Sequence, residues 1–178
     1  MTDVEQGKAW KSLIRLLRYR PRSVAEARRR LQGKGFSRAV VDATIERAVA
    51  GQLLDDELFA RLWIEDRLHA HPLSRRAIEL ELSDLGVARL IVQQQLAQIY
   101  PAERERELAF RLAAERFQQL RMRNIEADKR TSRVTSYLTR RGFPYSLTHS
   151  AVRAAERDDV EEEGPSTELS RNGGEDER

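Results

Sequence analysis

Along the first fifty positions the apolar residues recur at spacings of three and four, with no strict alternation. Ala9, Leu13, Leu16 and Leu17 fall on one side of a helix turning about 100° per residue. That pattern predicts a first helix, capped by Asp3 and running to about Arg20, where Pro21 breaks it. Ser23 followed three residues later by Glu26 forms a capping box for a second, short helix carrying Val24, Ala27 and Leu31 inward. Gly35 can supply the left-handed conformation that ends a helix, and Phe36 is placed to fold back on the preceding turn. A third helix follows Ser37, with Val40, Val41, Ile45 and Val49 predicted to face the core.

The same punctuation returns twice. Leu31 to Gly35-Phe36 is matched by Leu82 to Gly86-Val87 at an offset of 51, and again by Leu138 to Gly142-Phe143 at a further 56. Pro21 and Ser23 likewise reappear as Pro72 and Ser74. The second copy repeats the apolar stripes as Ala60, Ile64 and Leu68, then Ile91, Val92, Leu96 and Tyr100. In the third, a longer helix from Pro101 to about Asn124 buries Phe110, Phe117 and Leu120. A second helix spans roughly 129 to 141, and a third starts near Pro144 with Leu147, Ala151 and Val152 inward. The predicted fold is therefore all-α: three tandem three-helix repeats, 1–54, 55–100 and 101–157, stacked into an elongated, curved module. Residues 158–178 carry nine acids against Arg171 and Arg178 and no apolar periodicity, so a disordered acidic tail is expected.

Composition narrows the chemistry. Without cysteine, disulfides, thiolate nucleophiles and thiolate metal sites are excluded, and His69, His71 and His149 are too few and scattered to suggest a metal centre. No Gly-rich phosphate loop or nucleophile–base pair occurs, so neither an enzyme nor a cofactor is expected. No apolar run is long enough to cross a membrane and the start lacks a signal-peptide pattern, so a cytoplasmic, monomeric protein is expected. The net charge of +3 conceals an alternation: the first and third repeats are basic, the second acidic. Two basic segments call for a polyanion or an acidic protein surface.

Three segments carry a resemblance: Pro21-Arg-Ser-Val-Ala-Glu26, Leu31-Gln-Gly-Lys-Gly-Phe36, and Leu53-Leu-Asp-Asp-Glu-Leu-Phe-Ala60. Together with Arg76 to Leu82 and Gly86-Val87 they resemble the RecX family of recombination regulators, over approximately residues 9 to 157. In the third segment Asp55 and Asp56 are placed to cap the helix that follows. The resemblance implies a protein of DNA repair, recombination and the SOS response. It would bind the RecA recombinase along its DNA-bound filament and restrain ATP hydrolysis and strand exchange, with no catalytic residues of its own.

Candidate contacts follow the charges. Lys11, Arg15, Arg18 and Arg22 form one stripe opposite the apolar face of the first helix, extended by Arg28, Arg29, Arg30 and Lys34. Lys129, Arg130, Arg133, Arg140 and Arg141 form the counterpart in the third repeat. These groups would grip acidic filament surface or DNA phosphate. Asp56, Glu57, Glu65 and Asp66 of the middle repeat would meet basic filament surface. Trp10 and Trp63 are expected in the core, while Tyr19 is a further contact candidate. The alternative reading is a tandem helix-turn-helix-like DNA-binding protein, with paired helices at Gly35 and Gly142. Against it, Asp42 and Glu46 would face the phosphates. Non-specific DNA contact remains an expected accessory property.

Overall fold

A computed structural model describes residues 2–163. Among them lie nine α-helices and no strand: α1 (Thr2–Tyr19), α2 (Val24–Gln32), α3 (Arg38–Ala50), α4 (Asp56–His69), α5 (Arg75–Asp84), α6 (Arg89–Ile99), α7 (Ala102–Arg121), α8 (Ala127–Arg140) and α9 (Tyr145–Glu163). They group in threes, as the recurring Leu-x3-Gly punctuation predicts. The chain divides into two compact units, one reaching residue 104 and holding the first two repeats, the other from residue 105 and holding the third.

The local signals hold for physical reasons that recur. Ser23 and Ser74, both fully buried, accept hydrogen bonds from the amides of Glu26 at 3.0 Å and Ala77 at 3.1 Å, satisfying helix-start donors that have no intrahelical partner. Gly35, Gly86 and Gly142 all adopt φ near +80°, the conformation that closes each middle helix. At the second and third of these turns the following amide reaches back, Val87 N to Leu82 O at 3.0 Å and Phe143 N to Leu138 O at 3.3 Å. The third repeat departs at its middle helix, where Glu126 stands at the cap position and its side chain makes no capping hydrogen bond. Asn124, with φ 53°, turns the chain after α7 instead.

Each repeat buries its own core. In the first, Leu13, Ala27, Leu31, Val41, Ile45, Ala48 and Leu54 cluster, with Trp10, Leu17, Val24 and Phe36 packed against them. In the second unit, Leu108, Leu112, Phe117 and Leu120 of α7 are buried, as are Val134 and Leu138 of α8 and Ala151 and Val152 of α9. Four expectations need correction. Val49 is 45% exposed, because the backbone amides of Leu53 and Leu54 fold back on the Ala48 carbonyl and Leu54 closes the core in its place. Phe110 is only half-buried, lying beneath the Arg106 guanidinium. Asp3 lies within the first turn of α1 and does not precede it. Helix α9 continues past the expected boundary at 157 to Glu163. Asp159 is buried there in an ion pair with Arg130 at 2.8 Å, a compensation that the run of like charges in the sequence conceals. The rest of the predicted tail, 164–178, lies outside the described residues.

Within the first unit, the two repeats are locked by a few specific contacts. The Ser23 hydroxyl, besides capping α2, donates to the Leu85 carbonyl at 2.6 Å. The Gly86 backbone sits so close to α2 that a Cβ there would collide with the Cβ of Ala25. Asp56 accepts a hydrogen bond from the Val24 amide at 2.8 Å.

Candidate partner-binding surface

The two adjacent acids of the Leu-Leu-Asp-Asp segment do different work. Asp55 caps α4, accepting from the amides of Glu57 at 2.8 Å and Leu58 at 3.0 Å. Asp56, the first residue of α4, instead caps α2 of the preceding repeat through Val24. Burial raises the Asp56 pKa, opposed by that backbone hydrogen bond and reinforced by the neighbouring charge of Asp55. Since the folded-state pKa is the higher one, the native protein binds the proton more tightly than the unfolded chain. The charge of Asp56 therefore costs stability at neutral pH, and that cost is relieved as pH falls through the folded pKa. Asp56→Asn keeps an acceptor and removes the charge, so its stability at neutral pH should equal or exceed that of the parent. Asp56→Ala removes the acceptor and should lose about 1 kcal/mol. Urea unfolding at neutral pH checks both, and a loss in the Asn variant matching that in the Ala variant would contradict the assignment.

The basic stripe of the first repeat separates into two groups. Lys11, Arg15 and Arg18 are exposed on α1 and line a shallow groove with Trp10 and Ile14. No carboxylate among the described residues pairs with any of the three. Arg22, by contrast, is largely buried and pairs with Glu26, which also takes Arg20 at 2.6 Å. Glu26 thus neutralises cations and makes no return bond to its own helix start. Arg28 is half-buried and pairs with Asp42. Arg29 and Arg30 are exposed, Arg29 reaching the carbonyls of Asp84 and Leu85 at 3.4 Å. Lys34 is exposed and donates to the Ser12 hydroxyl at 2.6 Å.

In the middle repeat Glu57, Glu65 and Asp66 are exposed, whereas Asp56 is half-buried and engaged. Asp66 shares Arg67 with Glu81, each at 2.7 Å. In the third repeat Lys129 is exposed and pairs with Glu126 at 2.6 Å. Arg133 and Arg140 are exposed, and Arg141 is half-buried with its guanidinium 3.8 Å from the centre of the Tyr137 ring. Arg130 is the clear correction: only 6% exposed and paired with Asp159, it faces inward and is withdrawn from the surface. Arg22 and Asp56 are withdrawn as well, Arg22 into its pair with Glu26 and Asp56 into its bond with the Val24 amide of the preceding repeat.

Both tryptophans are half-buried, Trp10 beneath Arg47 at 3.9 Å and Trp63 donating to Glu81 at 2.8 Å, while Tyr19 is 81% exposed. The sequence does not single out Arg116, whose guanidinium lies 5.4 Å from the same Tyr137 ring. The two residues are on different helices, and only packing of α7 against α8 brings them together. Among the described residues no three His, Asp or Glu side chains converge as a metal site, and no helix is long and apolar enough to cross a membrane.

Known proteins match this arrangement. A family model described as the first three-helix domain of RecX covers residues 9–47, and one described as its second three-helix domain covers 55–96. The Regulatory protein RecX of Streptomyces coelicolor is 31% identical over 165 residues, covering 93% of this chain and 83% of that protein. That of Mycobacterium avium is 33% identical over 150 residues, covering 84% of each. In fold, the chain is similar to the crystal structure of RecX from Lactobacillus salivarius, with a TM-score of 0.72 at 17% identity over 87% of this chain and 99% of that one. Ser23 and Gly35 lie within the first matched domain and Ser74 and Gly86 within the second, and the similarity to the relatives extends well past both; this chain belongs to the RecX family.

Proposed function

We propose that this protein binds the RecA recombinase on its DNA filament and restrains ATP hydrolysis and strand exchange, without chemistry of its own. Membership of a family of regulatory proteins carries the reading. It is supported by the exposed cations Lys11, Arg15 and Arg18, which have no carboxylate partner among the described residues, and by the exposed acids Glu57 and Glu65 on α4. Opposite signs on successive repeats suit a partner whose surface alternates in the same way, since complementary charge governs register and encounter rate. Arg29 and Lys34 extend the surface of the first repeat, and Arg133 and Arg140 supply exposed cations on the third. On this reading the protein acts as a cytoplasmic monomer in recombination and repair.

The test reverses the stripe on α1. Lys11, Arg15 and Arg18 changed together to Glu should weaken binding to preformed recombinase filaments by more than about tenfold. Helicity should be unchanged, because none of the three packs in the core. Arg22 is left intact because its loss would disturb Glu26. Filament binding by the triple variant at parental strength would contradict the proposed surface. Tight, sequence-dependent binding to duplex DNA with no effect on the recombinase would contradict the proposed function.

A further inference from the structure

The end of α9 is held on the third repeat by charge rather than by apolar packing. Ala155 is the last buried apolar residue described on this helix. Beyond it the sequence places five acids and no base within residues 158–163, at the end of a helix where the dipole favours cations. Like charges three and four residues apart also weaken a helix, so such an end frays when nothing holds it. Two contacts oppose release. Thr131 donates to the Glu156 carboxylate at 3.0 Å. Asp159 is buried between two arginines from different helices, Arg130 of α8 at 2.8 Å and Arg121 at the end of α7 at 3.6 Å.

The seat beneath this helix end is incomplete. A cleft of about 270 Å³ stays open between α7 and α9 beside Asp159, lined by Phe117, Gln118, Arg121, Ala155 and Asp158 among others. A helix end packed flat on α7 would leave no such space. The contact therefore rests on the ion pairs of one carboxylate, against a local sequence that favours opening. Because Arg130 and Asp159 are each only 7% exposed at the side chain, separating them demands that both reach water, and the helix end must lift for that to happen. What the closed end covers is a cation: Arg130 stands on α8 between the exposed Lys129 and Arg133.

We propose that residues 158–163 form an autoinhibitory latch on the third repeat. Closed, the Asp159 carboxylate occupies Arg130 and Arg121. Open, the two guanidiniums become available to a multivalent oxyanion from outside, which must compete with Asp159 to bind. Two guanidiniums converging on one carboxylate already form an oxyanion receptor, and the chain supplies its own competitor for it. The latch goes beyond the proposed regulatory role and stands whether or not the recombinase is the partner.

The experiment follows amide hydrogen exchange in the full-length protein by mass spectrometry. In the parent, residues 158–163 should exchange more than about tenfold more slowly than an unstructured chain. Asp159→Asn should speed that exchange about tenfold or more, while the α7 core from Leu108 to Leu120 stays within about twofold of the parent. Asp158→Asn, which removes an equal charge from an exposed neighbour, should leave both segments within about twofold. Tripolyphosphate, titrated calorimetrically at low salt, probes the oxyanion. Asp159→Asn should bind it about tenfold more tightly than the parent, whose latch must open first. Adding Arg130→Gln to Asp159→Asn should cancel that gain, and Asp158→Asn should not produce it. The proposal is overturned if 158–163 stay as protected in Asp159→Asn as in the parent. It is equally overturned if the α7 core loses protection in step with them, which would make the end of α9 part of the repeat's global unfolding, or if Asp158→Asn and Asp159→Asn bind tripolyphosphate equally.

Discussion

Replacing Gly86 with alanine should cost the first unit about 3 kcal/mol or more, whereas the same change at Gly35 should cost only about 1. Both glycines have φ +83°, so both substitutions place a side chain in the left-handed region. What differs is the surroundings. Nothing lies within 4 Å of a Cβ at Gly35, while at Gly86 it meets the Cβ of Ala25, fixed to the backbone of α2 and unable to rotate away. Relief requires the two repeats to part, which would also break the Ser23 hydroxyl's bond to Leu85. Trp10 and Trp63 both belong to this unit, so tryptophan fluorescence during urea unfolding reports it selectively. Equal losses in the two variants would show that the close approach of Gly86 to α2 is not a stabilising contact.

Glu26→Ala should destabilise the same unit by about 3 kcal/mol, well above the roughly 1 kcal/mol expected for an ordinary capping residue. Glu26 is 6% exposed, and the side chain of Arg22, which it neutralises, is 11% exposed. Truncating the acid leaves that guanidinium largely buried without its counter-ion, and an uncompensated buried charge is more costly than a missing pair. Glu26→Gln retains an oxygen acceptor and should fall between the two. Arg20 is the more exposed partner, and Arg20→Ala should cost less than about 1 kcal/mol because solvent already screens that pair. The same fluorescence-detected unfolding checks the series, and a Glu26→Ala loss no larger than that of Arg20→Ala would contradict the buried-pair account.

The middle helices of the repeats were legible in the sequence because their ends are set by local chemistry. A serine that caps its own helix and a glycine that must turn left-handed act within a few residues, and Ser23, Ser74, Gly35, Gly86 and Gly142 do so at the predicted offsets. Two of the misplaced assignments share another character, since each depends on a partner distant in the chain. Asp56 reads as a cap for α4, yet satisfies α2, because only packing of the repeats brings Val24 to it. Arg130 reads as part of a basic stripe, yet turns inward, because Asp159 arrives on the last turns of α9, past the boundary that the charge pattern suggests. Glu26 reads as the second half of a capping box and instead serves Arg20 and Arg22. For the partner surface, the sequence supplies the cations but not which of them the fold has already neutralised. After that subtraction Lys11, Arg15 and Arg18 remain on α1, and Arg133 and Arg140 on α8, with Arg141 stacked on Tyr137.

The regulatory reading is tested most directly by ATP hydrolysis on recombinase filaments already assembled on single-stranded DNA. The parent protein should slow hydrolysis at concentrations too low to coat naked DNA, and the Lys11, Arg15 and Arg18 triple variant should need more than about tenfold more protein for the same effect. Hydrolysis unchanged by the parent at concentrations that saturate naked DNA would contradict the account.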